Sequence, residues 1–266
     1  MQEIIAIVAE NRRLNQAYCQ LRLALPLPLT VLPGQFAMLK PAGQFEPLLR
    51  RAMAFYQIET YHNGCIADFI FRIMGRGTEM LARLREGEAV ELLGPLGQSF
   101  ALTPAEAAGG ALIVAGGIGA PAVLMLARQL CARNIPVDLF LGGRSQADLI
   151  GEADFRALAL NLTITTDDGS VGECGFVTAP LERFLREHSQ QRFVIYTCGP
   201  EAMMKQTVRI AGIYRLPIYA SLEARMACGF GVCVGCVVET KATDATSCYQ
   251  RVCVEGPVFD GYEVIW

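Results

Sequence analysis

The chain has 266 residues, 52% of them hydrophobic, and a formal net charge of −3, which is enough to bury the cores of two ordinary domains plus an appendage. A disordered or fibrous chain is excluded, and Lys and Arg scattered without clustering leave no electrostatic footprint for nucleic acid. Ten cysteines follow a start, MQEIIAIVAENRR, that lacks the apolar run and basic flank of a secretory signal; the expectation is a cytoplasmic protein with metal ligands and buried thiols rather than a disulfide framework.

The first hundred residues contain six strand-like runs: EIIAIVAE, AYCQLRLAL, QFAMLK, AMAFYQIE, CIADFIFRIM and EAVELLG, separated by Pro, Gly and Asn. They predict a six-stranded antiparallel β-barrel over residues 1–103. Its single helical signal, TEMLARLR at 78–85, follows directly on Gly75 and Gly77. Residues 104–222 then alternate strand and helix, from ALIVA and PAVLMLARQLCAR to EAMMKQTVRIAG and PIYASL, as a parallel α/β sheet covered on both faces requires. The stretch 107–127 carries no charge over roughly a bilayer's thickness, yet Gly116, Gly117, Gly119 and Pro121 divide it into a short strand and a helix, so a soluble reading is expected. Residues 223–266 form a third composition, a small lobe with five cysteines and little to make a core.

Cys228, Cys233 and Cys236 stand as C-x4-C-x2-C, with Cys253 downstream in RVCVEGPVF. This is the plant-type [2Fe–2S] ligand spacing. Gly229, Gly231 and Gly235 give the loop the backbone freedom to turn amides toward sulfur. Structural zinc usually takes two short knuckles, and no matching partner accompanies the fourth cysteine. Inert buried thiols are the remaining alternative. Cys248 competes for the fourth position, and Cys253 is preferred because it lies beside the Gly-Pro turn of EGPVF. Cys19, Cys65, Cys131 and Cys174 occur singly and are expected to be packed thiols.

Three glycine-containing turns fall at the carboxyl ends of predicted strands of the α/β region: Gly116, Gly117 and Gly119; Thr197, Cys198, Gly199 and Pro200; and TDDG at 166–169. A dinucleotide binds on that edge, where glycine admits a pyrophosphate and a helix start offers free amides. Taken singly, a Gly-rich turn serves packing as readily as binding. In the barrel, RIMGRGTEML puts Gly77 and Thr78 at a helix start, a second pyrophosphate seat or a plain cap. Arg50 and Arg51 open the strand AMAFYQI as phosphate ligands or as a solvated face.

These motifs in this order, PGQF (33–36), Arg50 and Arg51, RIMGRGT, GPLG (94–97), GGIGAP, TTDDGSVG, TCGP and SLEARMACGFGVCVGC followed by VCVEGPVF, resemble the ferredoxin-reductase-like flavoproteins over nearly the whole chain, and most closely the electron-transfer subunits of dihydroorotate dehydrogenase B. The resemblance implies FAD between barrel and sheet domain, NAD(H) on the sheet domain, and the cluster in a carboxy-terminal lobe facing a partner. Carried across by position, Arg51, Ala52, Met53, Ala54, Ile70, Phe71, Arg72, Gly77 and Thr78 would hold FAD; Gly116, Gly117, Gly119, Cys198, Gly199 and Pro200 would border the nicotinamide site. The implied partner is the FMN-containing catalytic subunit, in a heterotetramer that oxidises dihydroorotate to orotate and passes electrons to NAD⁺. The chain departs from the family's Arg-Pro-x-Ser at Arg51, Ala52, Met53 and Ala54, losing a hydroxyl at Ala54 worth about 1 kcal/mol.

A hydride carries two electrons and an iron–sulfur cluster takes one, so a flavin is needed between them, and cofactors carry the chemistry. No side-chain acid, base or nucleophile is expected to be essential; His62 and His188 fall outside the motif loops. Two other functions stay open on sequence alone: the subunit of a different NAD(P)H-dependent oxidoreductase, and a non-catalytic iron–sulfur module whose flavin site has decayed. Arg144 and Ser145, after VDLFLGG, leave NADH against NADPH undecided.

Overall fold

Alternation of inward apolar and outward polar residues sets the first sheet. In β1 (Gln2–Arg13), Ile4, Ala6 and Val8 point inward and are buried, while the residues between them face out. β2 (Tyr18–Leu25), β3 (Phe36–Pro41), β4 (Arg51–Ala54), β5 (Gln57–Tyr61), β6 (Gly64–Arg72), the short helix α1 (Arg76–Ala82) and β7 (Ala89–Leu96) follow. The seven strands form one antiparallel sheet in the order β4-β3-β7-β1-β2-β6-β5. The computed structural model describes residues 1–241 and 247–266.

The run AMAFYQIE, expected as one strand, is two, which makes seven strands instead of six. Phe55 and Tyr56 are consecutive and both buried, at 1% and 2% exposure. A continuous strand sends neighbours to opposite faces, so the chain must turn between them. Phe55 N–H donates to Gln35 O at 3.3 Å and Tyr56 N–H to Asp68 O at 2.8 Å, and β4 and β5 thereby take the two opposite edges of the sheet.

The second sheet is built from α2 (Thr103–Ala108), β8 (Ala111–Gly116), α3 (Ala120–Ala132), β9 (Val137–Gly143), α4 (Glu152–Arg156), β10 (Asn161–Thr166), β11 (Glu173–Cys174), α5 (Thr178–Glu187), β12 (Val194–Cys198), α6 (Glu201–Tyr214) and β13 (Ile218–Ser221). Beyond these come β14 (Val237–Lys241) and β15 (Ser247–Arg251), which pair together, and β16 (Val258–Asp260). The order is β11-β10-β9-β8-β12-β13-β16, parallel throughout except for the antiparallel β16. Every residue of β8 is buried, as a central parallel strand covered on both faces demands. Leu112, Val114, Phe140 and Ile195 pack under Leu181 and Leu185 of α5 and Ile210 of α6, and α3 packs against β8, β9 and β12. The uncharged stretch at 107–127 is the end of α2, β8, a tight turn and the start of α3; among the described residues no helix is long and apolar enough to cross a membrane.

By contact the chain divides into two units: Met1–Ser99 with Glu223–Val237 and Arg251–Pro257, and Phe100–Leu222 with Val238–Gln250 and Val258–Trp266. The described part of 223–266 is thus shared between units. A segment of that size encloses little core of its own.

α1 lacks a glycine terminator and a basic last turn, and a distant side chain completes it. Asn11 Nδ2 donates to Leu81 O at 2.9 Å and Leu84 O at 2.7 Å, while its Oδ1 accepts from Cys19 Sγ. Orphan carbonyls at a helix end otherwise need another partner. Asn11→Ala should therefore lower the unfolding free energy by about 1–3 kcal/mol, seen as an earlier denaturant midpoint at unchanged slope.

Candidate functional site

From β8 the chain runs outward to β9 and β10, then returns to place β12 and β13 on the other side of β8. The strand order reverses between β8 and β12, and in open α/β sheets the crevice outside that point takes the ligand. Two predicted turns meet there. A Cβ on Gly119 would lie 2.5 Å from the backbone of Cys198 and Gly199, and one on Gly199 would lie 2.9 Å from Gly116 O. No side chain fits at either position, so the Gly116–Gly119 turn and the Cys198–Pro200 turn sit backbone to backbone. Pro200 then caps the fourteen-residue α6, its carbonyl accepting from the Met203 and Met204 amides, and a helix start of this kind suits an anion. TDDG does not join this pair. It is tied to the end of β9 instead, with Asp167 N–H on Gly143 O, Asp168 N–H on Arg144 O and Gln146 N–H on Ser170 Oγ. Arg144 is itself paired with Asp148 at 3.5 Å.

The barrel residues predicted for FAD gather where the sheet is not zipped. Among the described strands β4 is hydrogen-bonded to β3 alone, so Arg51, Ala52, Met53 and Ala54 lie on an edge of the sheet. β6 pairs with β2 along its whole length but with β5 only as far as Asp68, which leaves Ile70, Phe71 and Arg72 with a second open edge. β4 and β6 approach each other without a ladder between them. Unpaired backbone donors and acceptors need partners, and a flavin ring edge is rich in both. Gly77 lies against the guanidinium of Arg51: a Cβ there would be 2.5 Å from its Nε. Arg51 is held by its Nη1, which donates to Leu49 O at 2.7 Å. Thr78 Oγ1 accepts from the Met74 and Gly75 amides and donates to Gly75 O, so its hydroxyl closes the loop before α1. Arg50 is engaged elsewhere, by Glu3 and by Glu91 at 2.9 Å.

The four cysteines come together in the first unit. Cys233 N–H approaches Cys228 Sγ and Gly235 N–H approaches Cys233 Sγ, each at 3.5 Å. Burial resists ionisation of Cys228, yet the amides of Cys233, Phe230 and Val232 together with the Cys233 thiol outweigh it and bring the group down to about 6. Cys253, 2% exposed, is pushed up to about 12 by burial, by its hydrogen bond with Cys236, and by the charges of Cys236 and Cys228. The sulfurs thus fall into two pairs, Cys228 with Cys233 and Cys236 with Cys253. Among the described residues no three His, Cys, Asp or Glu converge on one metal ion. A [2Fe–2S] cluster shares four thiolates between two irons, and four cysteines gathered in one unit supply the donors that it needs. Cys248 stands apart, its Sγ 3.0 Å from Thr240 Oγ1. None of the ten cysteines is in a disulfide.

The role of GPLG was not legible in the sequence. Gln98, just after it, donates its N–H to Gly256 O at 2.6 Å and its Nε2 to Val254 O at 3.0 Å, anchoring the turn that carries Cys253. Gly229 of the cysteine loop rests on Met38 of β3. Only the proximity of Gln98 to a motif could have drawn attention to it.

Comparison with known proteins agrees with this layout. Residues 223–265 match the family described as the iron–sulfur cluster binding domain of dihydroorotate dehydrogenase B, and residues 113–209 match the oxidoreductase NAD-binding domain. The dihydroorotate dehydrogenase B (NAD(+)) electron transfer subunit of Geobacillus thermodenitrificans is 41% identical over 88% of this chain and 86% of its own. That of Lysinibacillus sphaericus is 38% identical over 97% and 96%. Among solved structures, the NADH-dependent reduced ferredoxin-NADP oxidoreductase superposes with a TM-score of 0.82 at 24% identity over 98% of this chain and 90% of that one. The ferredoxin reductase in carbazole 1,9a-dioxygenase follows at 0.70 and 24% over 82% and 68%; both show a shared fold. With relatives this similar over nearly the full length, the chain belongs to the family of dihydroorotate dehydrogenase B (NAD(+)) electron transfer subunits.

Proposed function

We propose that this chain passes electrons between NAD(H) and a separate FMN-containing catalytic subunit, which oxidises dihydroorotate to orotate, within a cytoplasmic heterotetramer. The observation that carries the reading is the pairing of the four thiols in a chain whose other unit holds two interlocked glycine turns at a sheet switch point. Bound FAD, NAD(H) and a [2Fe–2S] cluster supply the exchange of one hydride for single electrons. The protein's residues place these groups.

In this reading residues 1–103 hold FAD, 104–222 hold NAD(H) and 223–266 hold the cluster. Cys228, Cys233, Cys236 and Cys253 would hold the cluster. The open edges at Arg51, Ala52, Met53, Ala54, Ile70, Phe71 and Arg72 hydrogen-bond the flavin ring. Arg51, with the bare backbone of Gly77, receives the pyrophosphate; Thr78 shapes that loop through its hydroxyl. Gly116, Gly117, Gly119, Cys198, Gly199 and Pro200 border the nicotinamide. No side chain has to gain or lose a proton in this scheme.

Four outcomes test the assignment. Cys253→Ser should strip most of the iron and acid-labile sulfide from the purified protein while Cys248→Ser leaves both in place; the reverse result would assign the fourth ligand to Cys248. Gly77→Val, whose side chain must displace the Arg51 guanidinium, should weaken FAD binding tenfold or more, at least about 1.4 kcal/mol. Ala54→Ser should strengthen it about fivefold, the worth of one neutral hydrogen bond of about 1 kcal/mol; titration of apoprotein by flavin fluorescence reads both. Dihydroorotate should leave the flavin of the isolated chain oxidised and bleach it only after the catalytic subunit is added, and fast bleaching in partner-free protein would show a substrate site in this chain.

A further inference from the structure

Arg251 closes β15 two positions before Cys253, and its side chain reaches the loop that bears the other three cysteines. Its Nη1 donates to Gly231 O at 3.1 Å, midway between Cys228 and Cys233. Its Nε donates to Glu255 Oε2 at 3.1 Å, and its Nη2 to Glu255 Oε1. Glu255 Oε2 also accepts the Arg251 backbone N–H at 2.6 Å. The Arg251 carbonyl in turn accepts from the amides of Val254 and Glu255 at 3.1 and 3.0 Å. Cys253 is therefore enclosed in a tight turn, braced across its mouth by one salt-bridged pair, and that brace extends to the opposite loop. Next to it, Val252 N–H donates to Cys236 O at 2.9 Å. The space over Gly231 is filled by Val254 and by Arg251 itself, so a Cβ there would stand 2.6 Å from Val254 Cγ2.

Resting on the cluster assignment above, we propose that Arg251 and Glu255 form a positioning clamp, which ligates nothing but fixes the fourth thiolate against the loop carrying the other three. A flat fork is required. One face of the guanidinium meets both carboxylate oxygens while a third N–H crosses to the carbonyl, and an ammonium is a point donor that cannot cover this spread. The clamp also holds the guanidinium on the cysteine loop through Gly231 O, where its positive charge would act on a bound cluster of net negative charge. Arginine therefore favours the reduced cluster, and Glu255 moderates that effect.

The test uses the full-length protein purified anaerobically, with Arg251→Gln, Arg251→Lys and Glu255→Gln as variants. The readouts are iron and sulfide content, the half-life of the visible cluster absorption under excess chelator, and the midpoint potential followed by electron paramagnetic resonance. Arg251→Gln is expected to shorten the chelator half-life at least tenfold and to move the potential negative. Arg251→Lys, keeping the charge without the fork, is expected to shorten the half-life fivefold or more while holding the potential nearer to wild type. Glu255→Gln, the milder change, is expected to move the potential positive, and it keeps the test available if Arg251→Gln fails to fold. Bound flavin and its reduction by NADH report folding without using the cluster. Half-lives and potentials within twofold and within error of wild type in folded variants would overturn the clamp. Wild-type protein that carries no iron would overturn the cluster assignment, and the clamp with it.

Discussion

Four thiols that must all ionise to hold a cluster would repel one another as thiolates, and the surrounding backbone has to hold them together against that repulsion. Cys228 is eased toward its thiolate by three amides of its own loop, whereas Cys253, buried and beside Cys236, is held strongly protonated. Every nearby tie works against the spreading that repulsion would cause. Val252 holds Cys236, Gln98 holds the turn at Val254 and Gly256, and Gly229 is wedged on Met38. The core of the barrel thus supplies the rigidity that the short cysteine segment cannot generate for itself.

A similar economy governs the nucleotide edge. The features there are close backbone approach, a helix start and exclusion of side chains. Gly116, Gly119 and Gly199 matter for what they lack, since any Cβ would separate two turns that together define the crevice. Arg144, the residue best placed by sequence to choose between nicotinamide cofactors, already has an acidic partner in Asp148 and is flanked by the TDDG backbone.

What could be read from sequence was what is local. The C-x4-C-x2-C spacing, the glycine turns at strand ends and the change of period near residue 104 are all short-range patterns, and each corresponds to a feature of the structure. The misses depend on partners distant in sequence. AMAFYQIE has the propensity of one strand, and only the burial of both Phe55 and Tyr56 splits it. Arg51 and Arg50 look equivalent in sequence, but Glu91 takes Arg50 and Gly77 receives Arg51. TDDG shares the character of the other two turns and yet joins the end of β9. Arg251 and Gly231 are 20 residues apart, and no periodicity connects them. The change of composition near residue 223 is local as well, whereas the way the contacts of that segment divide between the two units depends on partners far along the chain.

The unzipped seam between β4 and β6 has a cost when nothing fills it. A row of unpaired amides and carbonyls on a short edge strand is a template for another chain, and here the edge is opened by the barrel's own design rather than by a folding error. Here that strand is only four residues long, Arg51–Ala54, and a short edge limits how far any such pairing could run.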